Sequence, residues 1–183
     1  LSEMPEIGVF TNDIRNELLN LNADLAVHSW KDLPIEMEPG TKISATLDRA
    51  DLRDILLLKR SSIAKKEISL LTSSPRRKEN LSRFLPKALP SQPDKIEFKE
   101  VRGNILTRIK KLMDSDSDGL VMAKAALDRI IKNESQRFLT EKKEIIEVFE
   151  DLSWMILPVS ENPAAPAQGA LAIETRSNDN KII

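Results

Sequence analysis

Residues 119–131 read GLVMAKAALDRII, and this stretch decides the class of the chain. Gly119–Met122 is a short unbroken apolar run, as in a buried strand, and it enters a helix predicted over Lys124–Ile131. The same order recurs on both sides. Lys95–Val101 alternates apolar and charged residues as a strand does, and Asn104 can cap a helix running to Met113. Farther upstream, Ser74 offers an N-cap with Pro75 at the first helical position, opening a basic helix over Pro75–Leu85. A Pro-rich loop then spans Pro86 to Pro93. Ile43–Leu47 and Ile55–Lys59 read as strands, separated by the charged segment DRADLRD (Asp48–Asp54), which reads as a hinge. At the start, Thr11–Leu21 sets Ile14, Leu18 and Leu21 on one helical face, and Ala23–His28 (ADLAVH) follows as a short buried strand. Downstream, a helical stretch covers Glu134–Glu150. Pro158–Pro166 holds three of the ten prolines and reads as a linker, after which Ala170–Glu174 is one more strand, expected to return to the first lobe. Strands alternating with helices predict an α/β fold.

With 183 residues, one ordinary domain or two small ones fit. Charged residues make up 31% and apolar ones 40%, which excludes a disordered or collagen-like chain. No apolar run approaches the ~20 residues that span a bilayer and no signal segment opens the sequence, so a cytoplasmic location is expected. The chain has no cysteine, which removes disulfides, thiolate metal sites and thiol chemistry from it. The net charge of −1 gives no overall attraction to nucleic acid or membrane, so charge acts here only through local clustering.

Such clusters occur at four predicted junctions with helices: HSWKDLP (His28–Pro34), TSSPRRK (Thr72–Lys78), VRGNILTR (Val101–Arg108) and AKAALDR (Ala123–Arg129). In open α/β sheets, ligands bind beyond the carboxyl ends of strands, where helix N-termini present unpaired N–H groups and partial positive charge. Arg76 and Arg77 occupy a helix's first turn, where a basic side chain opposes the macrodipole at roughly a few tenths of a kcal/mol. Arg102 and Arg108 flank a turn in which Gly103 lets backbone approach a ligand. With Arg129 these guanidiniums suit a polycarboxylate or polyphosphate.

Each cluster also has a plainer reading: an Arg-Arg pair or an RGN turn is commonly a solvated surface. His28 at a strand end is read as a structural hydrogen-bonder rather than a catalyst. Asp32 has two readings, a carboxylate that stabilises a developing cation, or a cap on the turn before Pro34. Lys124 is either a ligand or a side chain reaching to solvent. Trp30, Trp154 and the phenylalanines are assigned to packing, except Phe10, placed in a loop two residues after Gly8. No metal site is expected: one His and no Cys leave only carboxylates. The run DSDSDG (Asp114–Gly119) lacks the Glu of a calcium loop and reads as a solvated turn. No P-loop, GxGxxG or GxSxG is present.

Taken together and in order, ADLAVHSWKDLP, TSSPRR, RGNILTR, DGLVMAKAALDR and PAQGALAIETR closely resemble the porphobilinogen deaminase (hydroxymethylbilane synthase) family, from about Gly8 to Arg176. The resemblance implies a two-lobed fold like the type II periplasmic binding proteins, with a cleft between the lobes. It implies an enzyme of tetrapyrrole and haem biosynthesis, a transferase joining four porphobilinogen units with loss of ammonia on a covalently held dipyrromethane. By the same resemblance Asp32 is the catalytic aspartate, which stabilises the cation formed when ammonia leaves. Ser29 and Lys31 contact the primer side chains, while Thr72, Ser73, Ser74, Arg76 and Arg77 form a carboxylate cradle. Arg102, Gly103, Arg108 and Arg129 supply further substrate or primer contacts, Ala123 and Gln168 lie near the cleft, and Phe10 belongs to a mobile active-site loop. A monomer acting on a small pyrrole polycarboxylate is implied, with neither nucleic acid nor membrane as partner.

The chain departs from the family pattern in several places. The usual first β-α-β segment and the domain whose cysteine carries the primer are absent from the sequence. Leu1–Ile7 (LSEMPEI), with Glu3 and Glu6, stands where the active-site loop usually brings lysines and glycines. Pro75, Ala126 and Ala167 replace, respectively, a bulky aliphatic residue and two glycines usual in the family. The expected first lobe is residues 1–50 with 169–183, incomplete, and the second is 51–168. The alternative reading is a non-catalytic two-lobed module binding polycarboxylates; a weaker one is a phosphate or nucleotide binder.

Overall fold

Two sheets organise the described residues, 9–37 and 39–179 of a computed structural model. Each sheet lies in its own unit of the chain, one formed by Leu1–Leu52 with Ala165–Ile183 and the other by Arg53–Ala164.

The first unit contains helix α1 (Val9–Leu19), strand β1 (Ala26–Ser29), a 3-10 turn over Trp30–Asp32, strand β2 (Thr41–Thr46) and the last strand, β8 (Leu171–Arg176). Its sheet has the order β1-β8-β2 and is antiparallel throughout. The expected helical face is only partly buried. Leu18 is fully enclosed, but Ile14 is 41% exposed and Leu21 lies 74% exposed beyond the helix end. The inward position next to Ile14 is taken by the guanidinium of Arg15, for which a buried acceptor exists, as described below. Strand β1 is shorter than the expected Ala23–His28 and only half buried: Ala26 and His28 face inward, whereas Val27 is exposed. Phe10 lies in the first turn of α1 rather than in a preceding loop. The Leu1–Ile7 stretch, with Glu3 and Glu6, lies outside the described residues.

The second unit is built on β3 (Asp54–Lys59), β4 (Glu67–Leu71), β5 (Lys95–Lys99), β6 (Gly119–Ala123) and β7 (Leu152–Ile156), in sheet order β5-β4-β6-β3-β7. Strand β4 runs parallel to both β5 and β6, while β3 is antiparallel to β6 and β7. Helices α2 (Pro75–Ala88), α3 (Ile105–Met113), α4 (Lys124–Ile131) and α5 (Leu139–Phe149) complete it. The run ILLL in β3 is apolar at every position because the sheet is covered on both faces. Ile55 and Leu57 pack with Ile109, Leu112, Leu127 and Ile145 of α3, α4 and α5, and Leu56 and Leu58 with Leu81 and Leu85 of α2. Each fully buried leucine contributes roughly 2–3 kcal/mol through the surface it removes from water.

Three details differ from the sequence expectations. Pro86 is inside the last turns of α2 rather than in a loop. Strands β4 and β7 fall in stretches with no strand expectation, and Trp154 of β7, assigned to packing, is 59% exposed on an edge strand. The DSDSDG segment is not a solvated turn throughout, since Asp118 is buried. Its carboxylate accepts hydrogen bonds from Ser62 Oγ (2.7 Å), Lys65 Nζ (2.6 Å) and the Ser69 amide (2.7 Å), joining β4 to the start of β6. Burial pushes this carboxyl up, but the bonds from Lys65, Ser62 and Ser69 outweigh it and hold the group below its ordinary range.

Candidate functional site

In the second unit, the carboxyl ends of all three parallel strands meet helix N-termini. β4 reaches α2 through Thr72-Ser73-Ser74, β5 reaches α3 through 100–104, and β6 passes directly from Ala123 into α4. Local capping explains two of these starts. Ser74 Oγ accepts the Arg77 amide at 3.5 Å, and Asn104 Oδ1 accepts the Thr107 amide at 2.8 Å. Ser73 joins the first two junctions: its Oγ donates to Val101 O (2.8 Å) and accepts from Val101 N (3.0 Å). Thr72 is buried, and its Oγ1 accepts the Ser74 amide at 3.3 Å.

Gly103 has φ +121°, and a Cβ there would lie 2.7 Å from Thr107 Cγ2, so the turn requires glycine. Arg108 Nε donates to Gly103 O (2.7 Å) and Lys111 Nζ to Arg102 O (3.0 Å), which hold this turn in place. Arg102 itself is exposed, and its guanidinium has no hydrogen-bond partner among the described residues. Ala123 is buried at the end of β6, and Lys124 is ion-paired with Asp128 on its own helix. Arg129 is exposed in the last turn of α4 rather than at its start. A hollow of about 600 Å³ beside the β4 and β5 ends mixes Lys99 and Lys111 with Glu100, Asp114 and Asp116. That mixture gives no preference for an anion.

Arg76 and Arg77 have a partner that the sequence reading missed, Asp54 at the first position of β3. Arg77 is buried, and its Nε and Nη2 bind Asp54 Oδ2 and Oδ1 at 3.0 and 2.8 Å. Arg76 Nη2 donates to Asp54 Oδ2 at 2.8 Å, and Asn162 Nδ2 to the same oxygen at 2.9 Å. The positive charge that opposes the α2 macrodipole is therefore offset by a buried carboxylate. Burial pushes the Asp54 carboxyl up, but the hydrogen bonds and charge of Arg77, with the bonds of Arg76 and Asn162, hold it at about 2. The available signal was a carboxylate abutting the continuous apolar run ILLL.

In the first unit, Asp32 ends the 3-10 turn that follows β1. That turn is closed by backbone alone, Leu33 N to Trp30 O at 3.1 Å, and anchored by Trp30 N to Ala170 O at 3.2 Å. The Asp32 side chain does not cap it: the carboxylate is exposed, with no hydrogen-bond partner among the described residues. Ser29 is half-buried just before the turn, and Lys31 is exposed within it. Gln168 is buried, and its Nε2 donates to Leu52 O at 2.6 Å. Glu174, the last residue of the expected strand Ala170–Glu174, lies inside β8 (Leu171–Arg176). It is fully buried and accepts from Arg15 Nε (2.7 Å) and Thr41 Oγ1 (2.5 Å). Its burial likewise raises the carboxyl, and the bonds from Thr41 and Arg15 together with the His28 charge bring it below its ordinary range.

The three depressed carboxyls, Asp54, Asp118 and Glu174, make stability depend on acid in one direction. The unfolded chain takes up these protons first, so their contribution is complete above about pH 5 and is lost as pH falls through the folded-state values. For Asp54, a drop from 3.8 to about 2 corresponds to about 2 kcal/mol. Urea midpoints are expected to be level from pH 7 to 5 and to fall steeply between pH 4 and 2; a flat profile there would contradict the assignment. A smaller effect attaches to Ala167, which sits at φ +55° beside Gly169 at φ +90°. The left-handed conformation costs Ala roughly 1–2 kcal/mol, against about 0.5–1 kcal/mol of extra chain entropy for Gly. Ala167→Gly is therefore expected to stabilise by roughly 0.5 kcal/mol, read as a small rise in urea midpoint.

A family model described as "Porphobilinogen deaminase, dipyromethane cofactor binding domain" matches residues 1–183. The chain belongs to the porphobilinogen deaminase family. It is 35% identical over 188 residues to the porphobilinogen deaminase of Syntrophomonas wolfei, covering 100% of this chain and 53% of that protein. The Clostridioides difficile porphobilinogen deaminase is 34% identical over 186 residues, with 100% and 54% covered. The chain thus spans about half the length of the curated relatives it matches. Among solved structures, it is similar to an arginine transport system periplasmic binding protein from Legionella pneumophila (14% identity, TM-score 0.36, 91% of this chain and 65% of that one). It is also similar to full-length BenM (15% identity, TM-score 0.46, 93% and 50%). No helix among the described residues is long and apolar enough to cross a membrane.

Proposed function

We propose that this chain carries the substrate-handling portion of a porphobilinogen deaminase, which joins porphobilinogen units head to tail with loss of ammonia. The observation that carries the reading is the match of that family's model to all 183 residues. In this reading Asp32 accepts pyrrole N–H groups and stabilises the positive charge that develops on the substrate as ammonia departs. Its exposed, uncommitted carboxylate supports that role. In the second unit Arg102, Arg108 and Arg129 bind acetate and propionate arms with the Ser74 hydroxyl, while Thr72 is buried and Ser73 donates its proton to Val101 O; in the first unit Ser29 and Lys31 add primer contacts. Arg77, buried and bonded to Asp54 and Val121 O, holds the start of α2, while Arg76 keeps part of its side chain exposed there.

The residues present fit the anionic arms of a dipyrromethane, given the exposed Arg102 guanidinium beside helix N-termini. They do not supply its covalent attachment, because the chain has no cysteine. When bound, that group provides the pyrrole to which substrate units are joined. The same reading places the protein in the cytoplasm as a monomer without nucleic-acid partners. The test is to give the full-length native protein porphobilinogen and follow ammonia release and intact mass. Ammonia release with mass increments of added pyrrole units is expected. Tight binding without consumption would replace the enzyme by a non-catalytic polycarboxylate binder, and competition by nucleotides would replace it by a phosphate binder.

A further inference from the structure

Asp32 ends a 3-10 turn that follows an edge strand only four residues long and paired on one side, and backbone bonds of Leu33 and Trp30 close and anchor that turn. Such a strand has little of its own to keep register and direction. Four residues before Asp32, the imidazole of His28 is buried, and its Nε2 lies 2.8 Å from Glu174 Oε2. The two atoms touch without hydrogen-bond geometry, and neither has a hydrogen-bond partner elsewhere among the described residues. Glu174 lies in the central strand β8, and its other oxygen holds Arg15 of α1 and Thr41 of β2. One carboxylate thus joins the helix and both edge strands of the three-stranded sheet, and among the described residues His28 is the side chain through which it reaches the strand leading to Asp32.

We propose that Glu174 and His28 form a positioning pair that fixes the exit of β1 and thereby places the Asp32 carboxylate. The inference rests on the proposed role of Asp32 for its consequence in turnover, but not for its consequence in backbone order. Removing the imidazole leaves the Glu174 anchor intact on the α1 and β2 sides and releases β1. The structure therefore distinguishes His28 from Thr41, which touches the same carboxylate from the opposite edge.

The experiment compares His28→Ala, His28→Gln and Thr41→Val in the full-length native protein, by amide hydrogen exchange and by steady-state turnover of porphobilinogen. A glutamine Nε2 can approach Glu174 Oε2 from the place that the imidazole Nε2 occupies. For His28→Ala, exchange is expected to speed up at 30–33 beyond any global change, and kcat to fall about 10- to 100-fold with KM within about twofold. His28→Gln should recover most of both, and Thr41→Val should lower the unfolding midpoint while leaving kcat within about twofold. If His28→Ala does not fold, His28→Asn, one carbon too short to reach Glu174, takes its place: faster exchange at 30–33 and a lower kcat than in His28→Gln are expected, and equality with His28→Gln would overturn the proposal. Unchanged exchange at the turn, or equal losses of kcat in Thr41→Val and the His28 variants, would overturn the proposal. Faster exchange at the turn with no turnover in the unsubstituted protein would instead retain the pair as a positioning device and remove the enzymatic reading.

Discussion

Asp54→Ala is expected to lower the free energy of unfolding by about 3–5 kcal/mol, the cost of leaving a buried charge without its partner. The magnitude follows from the burial of the Arg77 guanidinium and from its two bonds to the carboxylate, 2.8 and 3.0 Å long. Arg76 and Asn162 lose an acceptor in the same step. Urea denaturation at pH 7 measures the effect, and a loss below about 1 kcal/mol would show that water or other acceptors replace Asp54. The double variant Asp54→Ala with Arg77→Met removes both charges and is expected to recover a large part of the loss, because a buried ion pair is far costlier to break than to replace.

The second large effect falls on the reaction and spares the fold. Asp32→Asn keeps shape and removes charge at an exposed position, so the unfolding midpoint is expected to stay within about 0.5 kcal/mol of the unsubstituted protein. Turnover of porphobilinogen by the full-length protein is expected to fall by at least ~10²–10³-fold, the range seen when one group that stabilises transition-state charge is removed. In the proposed reading the substrate arms bind to other residues, so KM should move little. Near-normal turnover would take Asp32 out of the mechanism and leave the exposed carboxylate without a chemical role.

The two substitutions also mark what was legible in the sequence. Local signals survived folding: the Ser74-Pro75 and Asn104 caps start α2 and α3 where expected, and the GLVMA run becomes β6. The strands β4 and β7 were not legible, for different reasons. Strand β4 carries Ser69 at an inward position that only the distant Asp118 makes tolerable. Strand β7 carries its largest side chain, Trp154, outward. The HSWKD turn could be located, but not whether Asp32 caps it, because that depends on which donors lie within reach in three dimensions. Asp54 and Glu174 were hidden for the same reason. Their partners lie 22, 23 and 108 residues away for Asp54, and 159, 146 and 133 for Glu174. What marks both is a carboxylate within or against a buried strand, which demands a cation or donor from elsewhere in the chain.

The Asp54 cluster has a consequence for how this chain can change over generations. Asn162 and Pro163 accept hydrogen bonds from Arg76, so the segment by which the chain leaves the second unit is fastened to the carboxylate that also holds the first turn of α2. Asp54, Arg76, Arg77 and Asn162 are spread over more than a hundred positions of sequence, yet exchanging Asp54 leaves the other three without their shared acceptor. They form a single heritable character: lineages that alter it should show several of these positions changed together, and intermediates with one change should be rare.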